Sequence, residues 1–186
     1  MSSKFRAEKR KTIHNWVSWS LVQASFIDPN GQDFTRTFVT SPGAVGVVAL
    51  KGKASQRSVL LVRQYRPPFD RETLEIPAGM RDKVDEDPQL TAQRELEEEA
   101  GYRANTLVKI GSHESAPGIS NSVVDLFLAT DLVPTKIDRH GPEEQFMTIE
   151  EYPFQVALEM VKAGEITDGK TVIGLLMVAQ PFSSFL

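Results

Sequence analysis

Residues Gly79 to Tyr102 read GMRDKVDEDPQLTAQRELEEEAGY. Asp87 followed by Pro88 predicts a helix N-cap and first helical residue. Gly101 predicts the position just past the helix end. Between them Leu90, Leu96 and Ala100 recur at roughly helical spacing. Glu95, Glu98 and Glu99 stand at i, i+3 and i+4 and so share one face, while Glu97 points the other way. Acids are disfavoured near the negative end of a helix dipole, and like charges four residues apart repel. A divalent cation held by oxygen ligands turns that cost into a gain. Taken alone, the cluster also reads as an ordinary solvated, Glu-rich face.

The full spacing is more specific. Six residues separate Gly79 from Glu86, seven more lead to Arg94, and Arg94-Glu95-Leu96-Glu97-Glu98-Glu99-Ala100-Gly101-Tyr102 closes the stretch. This closely resembles the Nudix box, with one departure: the gap from Gly79 to Glu86 is one residue too long. Either the loop holds an insertion, or Asp85 replaces the Glu and the later gap is stretched. The insertion is the better reading, because an extra residue within the helix would rotate the Glu face.

The chain has 186 residues, enough for a single domain over its whole length with a sizeable core. No apolar run approaches the roughly 20 residues that span a bilayer, and no signal peptide is apparent. Cysteine is absent, which removes disulfide and thiolate chemistry and suits a cytoplasmic protein. A net charge of −4 argues against general nucleic-acid binding. An anionic substrate then needs local Arg, Lys or metal charge.

Residues 1–12, with Lys4, Arg6, Lys9, Arg10 and Lys11, read as a solvated flexible tail. Residues 14–40 read as strands around the Asp28-Pro29-Asn30-Gly31 turn. Trp16 and Trp19 there suit a core or an interface. Further strands are expected at 44–50, 58–65, 107–111, 123–129 and 146–149. Residues 131–142 read as a polar loop ending at Glu143 and Glu144. Helices are expected at 153–163 and from 168 or 169 to Gln180, stopped by Pro181. His14, His113 and His140 make no metal-ligand spacing and read as structural or exposed. The acids Asp82, Asp85, Glu86 and Asp87 lack the alternation and glycine of a calcium loop.

The resemblance extends past the box. Arg66-Pro67-Pro68, Leu74-Glu75-Ile76-Pro77-Ala78-Gly79 and Pro117-Gly118 look like the ADP-ribose pyrophosphatase branch of the Nudix hydrolases. It implies an α/β fold: an α/β/α sandwich with a mixed β-sheet and an N-terminal β-hairpin extension. It implies Mg²⁺, with Mn²⁺ as a substitute, held by Glu95, Glu98, Glu99 and the Ala78 carbonyl. Arg94 would hold the Glu face, and Glu98, Glu143 or Glu144 would position water or take its proton. Arg66, Arg36, Phe38, Glu75 and Pro117 would contact substrate. The implied reaction is hydrolysis of ADP-ribose, or a related nucleoside diphosphate sugar, to a nucleoside monophosphate and a sugar phosphate. GDP-mannose is the alternative substrate, and a non-catalytic nucleotide-sugar sensor the second alternative. The branch also implies a homodimer built through the N-terminal strands.

Overall fold

Val45, Val47 and Ala49 point to one side of a strand, and Gly46, Val48 and Leu50 to the other. None of the six is polar, as a strand covered on both faces requires. The computed structural model describes residues 4–53, 56–83, 85–139 and 141–179, with the main chain only at 142 and 143. In it this strand is β4 (Ala44–Lys51) of a seven-stranded mixed sheet. The strand order is β10 (Thr148–Pro153), β5 (Ser58–Arg66), β4, β9 (Val123–Pro134) and β8 (Tyr102–Glu114). In addition β6 (Arg71–Glu75) pairs with β5, and β7 (Ala78–Met80) pairs with β4. β4 runs parallel to β9 and antiparallel to β5 and β7.

Helix α1 (Pro88–Ala100) covers one face, sending Ala92, Leu96 and Ala100 against Val45, Val47, Leu60 and Phe127. Helices α3 (Phe154–Ala163) and α4 (Gly169–Ala179) cover the other, with Ala157, Leu158 and Leu175 against Val48, Leu50, Leu61 and Leu126. At Gly174 the approach is so close that a Cβ would stand 2.9 Å from a methyl of Val48. The result is the expected helix–sheet–helix layering. A short helix, α2 (Pro142–Gln145), precedes β10.

Three expectations need correction. Leu90 is exposed, and the buried line on α1 is Ala92–Leu96–Ala100. Strands β8, β9 and β10 extend beyond or start later than the apolar runs that mark them, because ladder bonds do not require apolar side chains. The supposed tail is part of a strand: β1 (Arg6–Trp16) pairs with β2 (Trp19–Ile27) from Arg6 opposite Ile27 to Trp16 opposite Trp19. Its side chains are all exposed, so its charges stay in water while its main chain pairs. The chain divides into two compact units, Met1–Gly43 with Glu114–Val123, and Ala44–His113 with Val124–Leu186. β1, β2 and β3 (Asp33–Thr40) form a separate antiparallel sheet within the first.

Two turns shape that sheet. Val17, at φ 44°, helps close the β1–β2 hairpin in a region β-branched residues rarely adopt. Asp28 makes the β2–β3 turn, its Oδ1 accepting from Asn30 N–H at 2.8 Å and Gln32 N–H at 2.9 Å. The expected end of the last helix at Gln180 and Pro181 lies outside the described residues.

Candidate active site

The register of α1 decides where its acids go. Asp87 accepts from Gln89 N–H at 2.8 Å, and Gly101, at φ 69°, donates to the Glu97 carbonyl at 3.0 Å. With Ala92, Leu96 and Ala100 in the core, the residues one position earlier, Thr91, Glu95 and Glu99, fall on the adjacent buried line. Glu95 is 8% exposed and Glu99 4%. Glu97 faces elsewhere and accepts from Gln93 at 3.0 Å.

Glu95, Glu98 and Glu99 line one pocket with Ala78 and Gly79 of β7, Gln64 and Arg66 of β5, Arg94, and Glu144 of α2. Met80 and Asp82 complete it. Glu99 accepts from Ala78 N–H at 2.9 Å. Arg94 stands 2.8 Å from Glu95, 3.1 Å from Glu98, 3.3 Å from Asp82 and 3.6 Å from Glu86. The long loop absorbs its extra residue before the helix, where Asp85 takes φ 62°. Glu86 and not Asp85 reaches α1, accepting from Thr91 Oγ1 at 2.8 Å.

Burial raises the Glu95 carboxyl to about 7, against the pull of Arg94 and with help from Glu98. Burial also raises Glu99 to about 8, despite the Ala78 N–H bond, and the charges of Glu95 and Glu144 add to it. Two buried acids that resist ionising on one face suit a hard cation with oxygen ligands, so the residues present fit such an ion. Among the described residues, no three His, Asp or Glu side chains already stand in ligand geometry. Glu99 is turned to the Ala78 amide and Glu95 to Arg94.

Glu144 reaches the pocket because the preceding loop is tied to the end of α1. Thr135 N–H donates to the Gly101 carbonyl at 2.8 Å and Asp138 N–H to that of Glu98 at 3.3 Å. Arg139 donates to the Glu99 carbonyl at 3.1 Å and to the Met147 carbonyl at 2.5 Å. The Glu143 side chain and His140 lie outside the described residues.

In the same pocket Arg66 grips Glu75 through Nε at 2.7 Å and Nη2 at 2.6 Å. Burial alone would raise Glu75, but Arg66 and Lys170 outweigh it and hold the carboxyl at about 2. Arg36, Phe38 and Pro117 belong to the first unit. Arg36 donates to the Thr35 carbonyl at 2.8 Å and lies over the Phe34 ring at 4.9 Å. Arg10 lies 5.9 Å over Phe38. The loop carrying Pro117 is joined to β3, with Val39 N–H donating to the Ile119 carbonyl at 2.9 Å.

The sequence reading missed Gln64, Met80, Arg139 and Lys170. Gln64 was within reach, since it stands two residues before Arg66 on one strand face. Lys170 sits 95 positions from Glu75, and local periodicity carries no signal for such a pair.

Residues 40–168 match the NUDIX domain. The chain is 38% identical over 147 residues to an ADP-ribose pyrophosphatase of Bacillus subtilis, covering 79% of this chain and 77% of that protein. It is 30% identical over 173 residues to a GDP-mannose pyrophosphatase of Yersinia enterocolitica, covering 89% of each. Its fold is similar to the crystal structure of an ADP compounds hydrolase, with TM-score 0.81 and 21% identity over 95% of this chain and 92% of that one.

Proposed function

We propose that this chain, which belongs to the NUDIX family, is a pyrophosphatase that hydrolyses the diphosphate bridge of ADP-ribose, with AMP and ribose 5-phosphate as products. The observation that carries the reading is one pocket lined by Glu95, Glu98, Glu99, Glu144 and Arg66. Such a surface offers a diphosphate both cation ligands and a guanidinium.

Glu95, Glu98, Glu99 and the Ala78 carbonyl would hold Mg²⁺, with Mn²⁺ as a substitute. When bound, the ion neutralises diphosphate charge and makes water a stronger acid. Arg94 keeps the α1 carboxylates apart and oriented through its contacts with Glu95 and Glu98. Glu144, with Glu98 or Glu143 as the alternative, takes the proton of the attacking water. The water oxygen bonds to one phosphorus, the bridging P–O bond breaks, and the bridge oxygen leaves on the other phosphate. Arg66 holds that phosphate, while Glu75 keeps Arg66 in place.

The similarity to a GDP-mannose pyrophosphatase favours GDP-mannose as the second reading. A panel of nucleoside diphosphate sugars with Mg²⁺, scored by phosphate released after phosphatase treatment, separates the two. Turnover of ADP-ribose well above GDP-mannose is expected; the reverse order transfers the assignment. The reading includes a cytoplasmic homodimer assembled through β1–β3, where Ile13 and Trp16 are 49% and 41% exposed. Light scattering on the purified protein tests that assembly. No helix among the described residues is long and apolar enough to cross a membrane.

A further inference from the structure

Glu75, 2% exposed at the end of β6, is surrounded by donors. An ionised carboxylate offers about four acceptor positions. Here Arg66 takes two, through Nε at 2.7 Å and Nη2 at 2.6 Å. Thr73 Oγ1 donates to Oε1 at 2.5 Å. Lys170 Nζ, from the first turn of α4, donates to Oε2. With all four donors in place the plane of the carboxylate is set, and so is the guanidinium that lies against its edge.

Lys170 is itself placed by its surroundings. Its Nζ stands 3.1 Å from Asp168 Oδ2. Asp168 also caps α4, accepting from Thr171 N–H at 3.0 Å and Thr171 Oγ1 at 2.6 Å. Thr171, fully buried, accepts through Oγ1 from Ile76 N–H at 2.8 Å. The start of α4 thus holds both Glu75 and the next residue of the segment that leads to Ala78. Lys170 does not line the pocket containing the α1 glutamates, whereas Arg66 does. Its contacts reach that pocket through Glu75 and Arg66, while its charge is also felt at Glu99.

We propose that Lys170 is a positioning residue for substrate binding: it locks Glu75 so that Arg66 presents the end of its guanidinium not engaged with Glu75 to the substrate diphosphate. This rests on the reading above that Arg66 contacts that diphosphate. The Arg66–Glu75 pair alone leaves one edge of a buried carboxylate without a donor. The carboxylate can then turn, and the fork turns with it. The ground state and the transition state both use Arg66, so the defect belongs mainly in KM.

The test is a double-mutant cycle on the full chain, read as KM and kcat for ADP-ribose with Mg²⁺. Kd for the non-hydrolysable α,β-methylene-ADP-ribose is measured in parallel. Lys170→Met keeps the volume and removes the charge; Lys170→Arg keeps the charge. Lys170→Met should raise KM and Kd about five- to tenfold, with kcat within about threefold, and Lys170→Arg should stay within about threefold of wild type. In an Arg66→Ala background Lys170→Met should change KM and Kd less than about twofold. Lys170→Gln carries the same expectation should the Met variant fold poorly. An equal effect in both backgrounds, or a silent Lys170→Met beside an impaired Arg66→Ala, overturns the proposal alone. A silent Arg66→Ala, by contrast, removes the assignment of Arg66 to the diphosphate and the proposal with it.

Discussion

The carboxyl group of Glu95 occupies the space where a side chain on Gly79 would be. A Cβ placed there would lie closer to all three carboxyl atoms than carbon can. The glycine that opens the box is therefore a packing requirement imposed by a glutamate sixteen positions later in the chain.

Gly79→Ala should push Glu95 out of the pocket and away from Arg94. A loss of about 100-fold or more in kcat/KM is expected, from a displaced group in the reacting site. Circular dichroism should show the fold intact. Wild-type rates in this variant would detach Glu95 from the chemistry.

Glu98→Gln and Glu99→Gln should each lower kcat by about two orders of magnitude or more, as expected when a group that assists the reaction loses its charge. Their effects on stability should differ. Glutamine at position 99 can still accept from the Ala78 amide, and it removes a buried carboxyl whose pKa is raised to about 8. Metal-free Glu99→Gln should therefore melt higher than wild type near pH 8, as read by calorimetry.

Glu95 and Glu99 also set a pH dependence. Their folded-state values, about 7 and about 8, lie above the ordinary carboxylate value of roughly 4.3. Their contribution to stability is complete below that ordinary value and is lost as pH rises through 7 and 8. Metal-free Tm should fall over this window. Millimolar Mg²⁺ should recover more at about pH 8 than at about pH 5, because the ligands must shed protons to bind it. An equal gain at both pH values would separate these two acids from the metal.

Glu75 acts in the opposite direction. Held at about 2, it contributes stability above the ordinary carboxylate value, and that contribution disappears as pH falls toward 2. The gap from the ordinary value corresponds to roughly 3 kcal/mol. Denaturant titrations between about pH 5 and 2 should show a steep acid limb that flattens in Glu75→Gln.

Arg139→Ala removes the link between the Glu99 and Met147 carbonyls. The segment carrying Glu144 should then open more readily. Amide hydrogen exchange over residues 141–147 should speed up, and kcat should fall by about tenfold or more while α1 stays protected.

Much of this protein was legible in the chain alone. Asp87, Pro88 and Gly101 marked the ends of α1, because capping chemistry is local and spans a few residues. The spacing of Arg94, Glu95, Glu98 and Glu99 identified one helical face, because helix geometry is periodic. The Val- and Leu-rich runs at 44–50 and 58–65 marked β4 and β5 as strands. The strand of Arg6–Trp16 was not legible, since it is held by main-chain bonds to β2 and its side chains say only that they meet water.

What only the tertiary structure decided are the pairings between distant positions. Leu90 and Ala92 look equally fit for the core, and packing against β4 and β9 selected Ala92. Gln64 and Arg66 entered the pocket because β5 lies beside β4, and Glu144 because Arg139 and its neighbours hold a loop on the end of α1. Lys170 met Glu75 across 95 positions because α4 crosses the sheet there. Local periodicity reports the burial and secondary structure of a residue, whereas the partner of a buried charge depends on which elements the folded sheet and helices bring together.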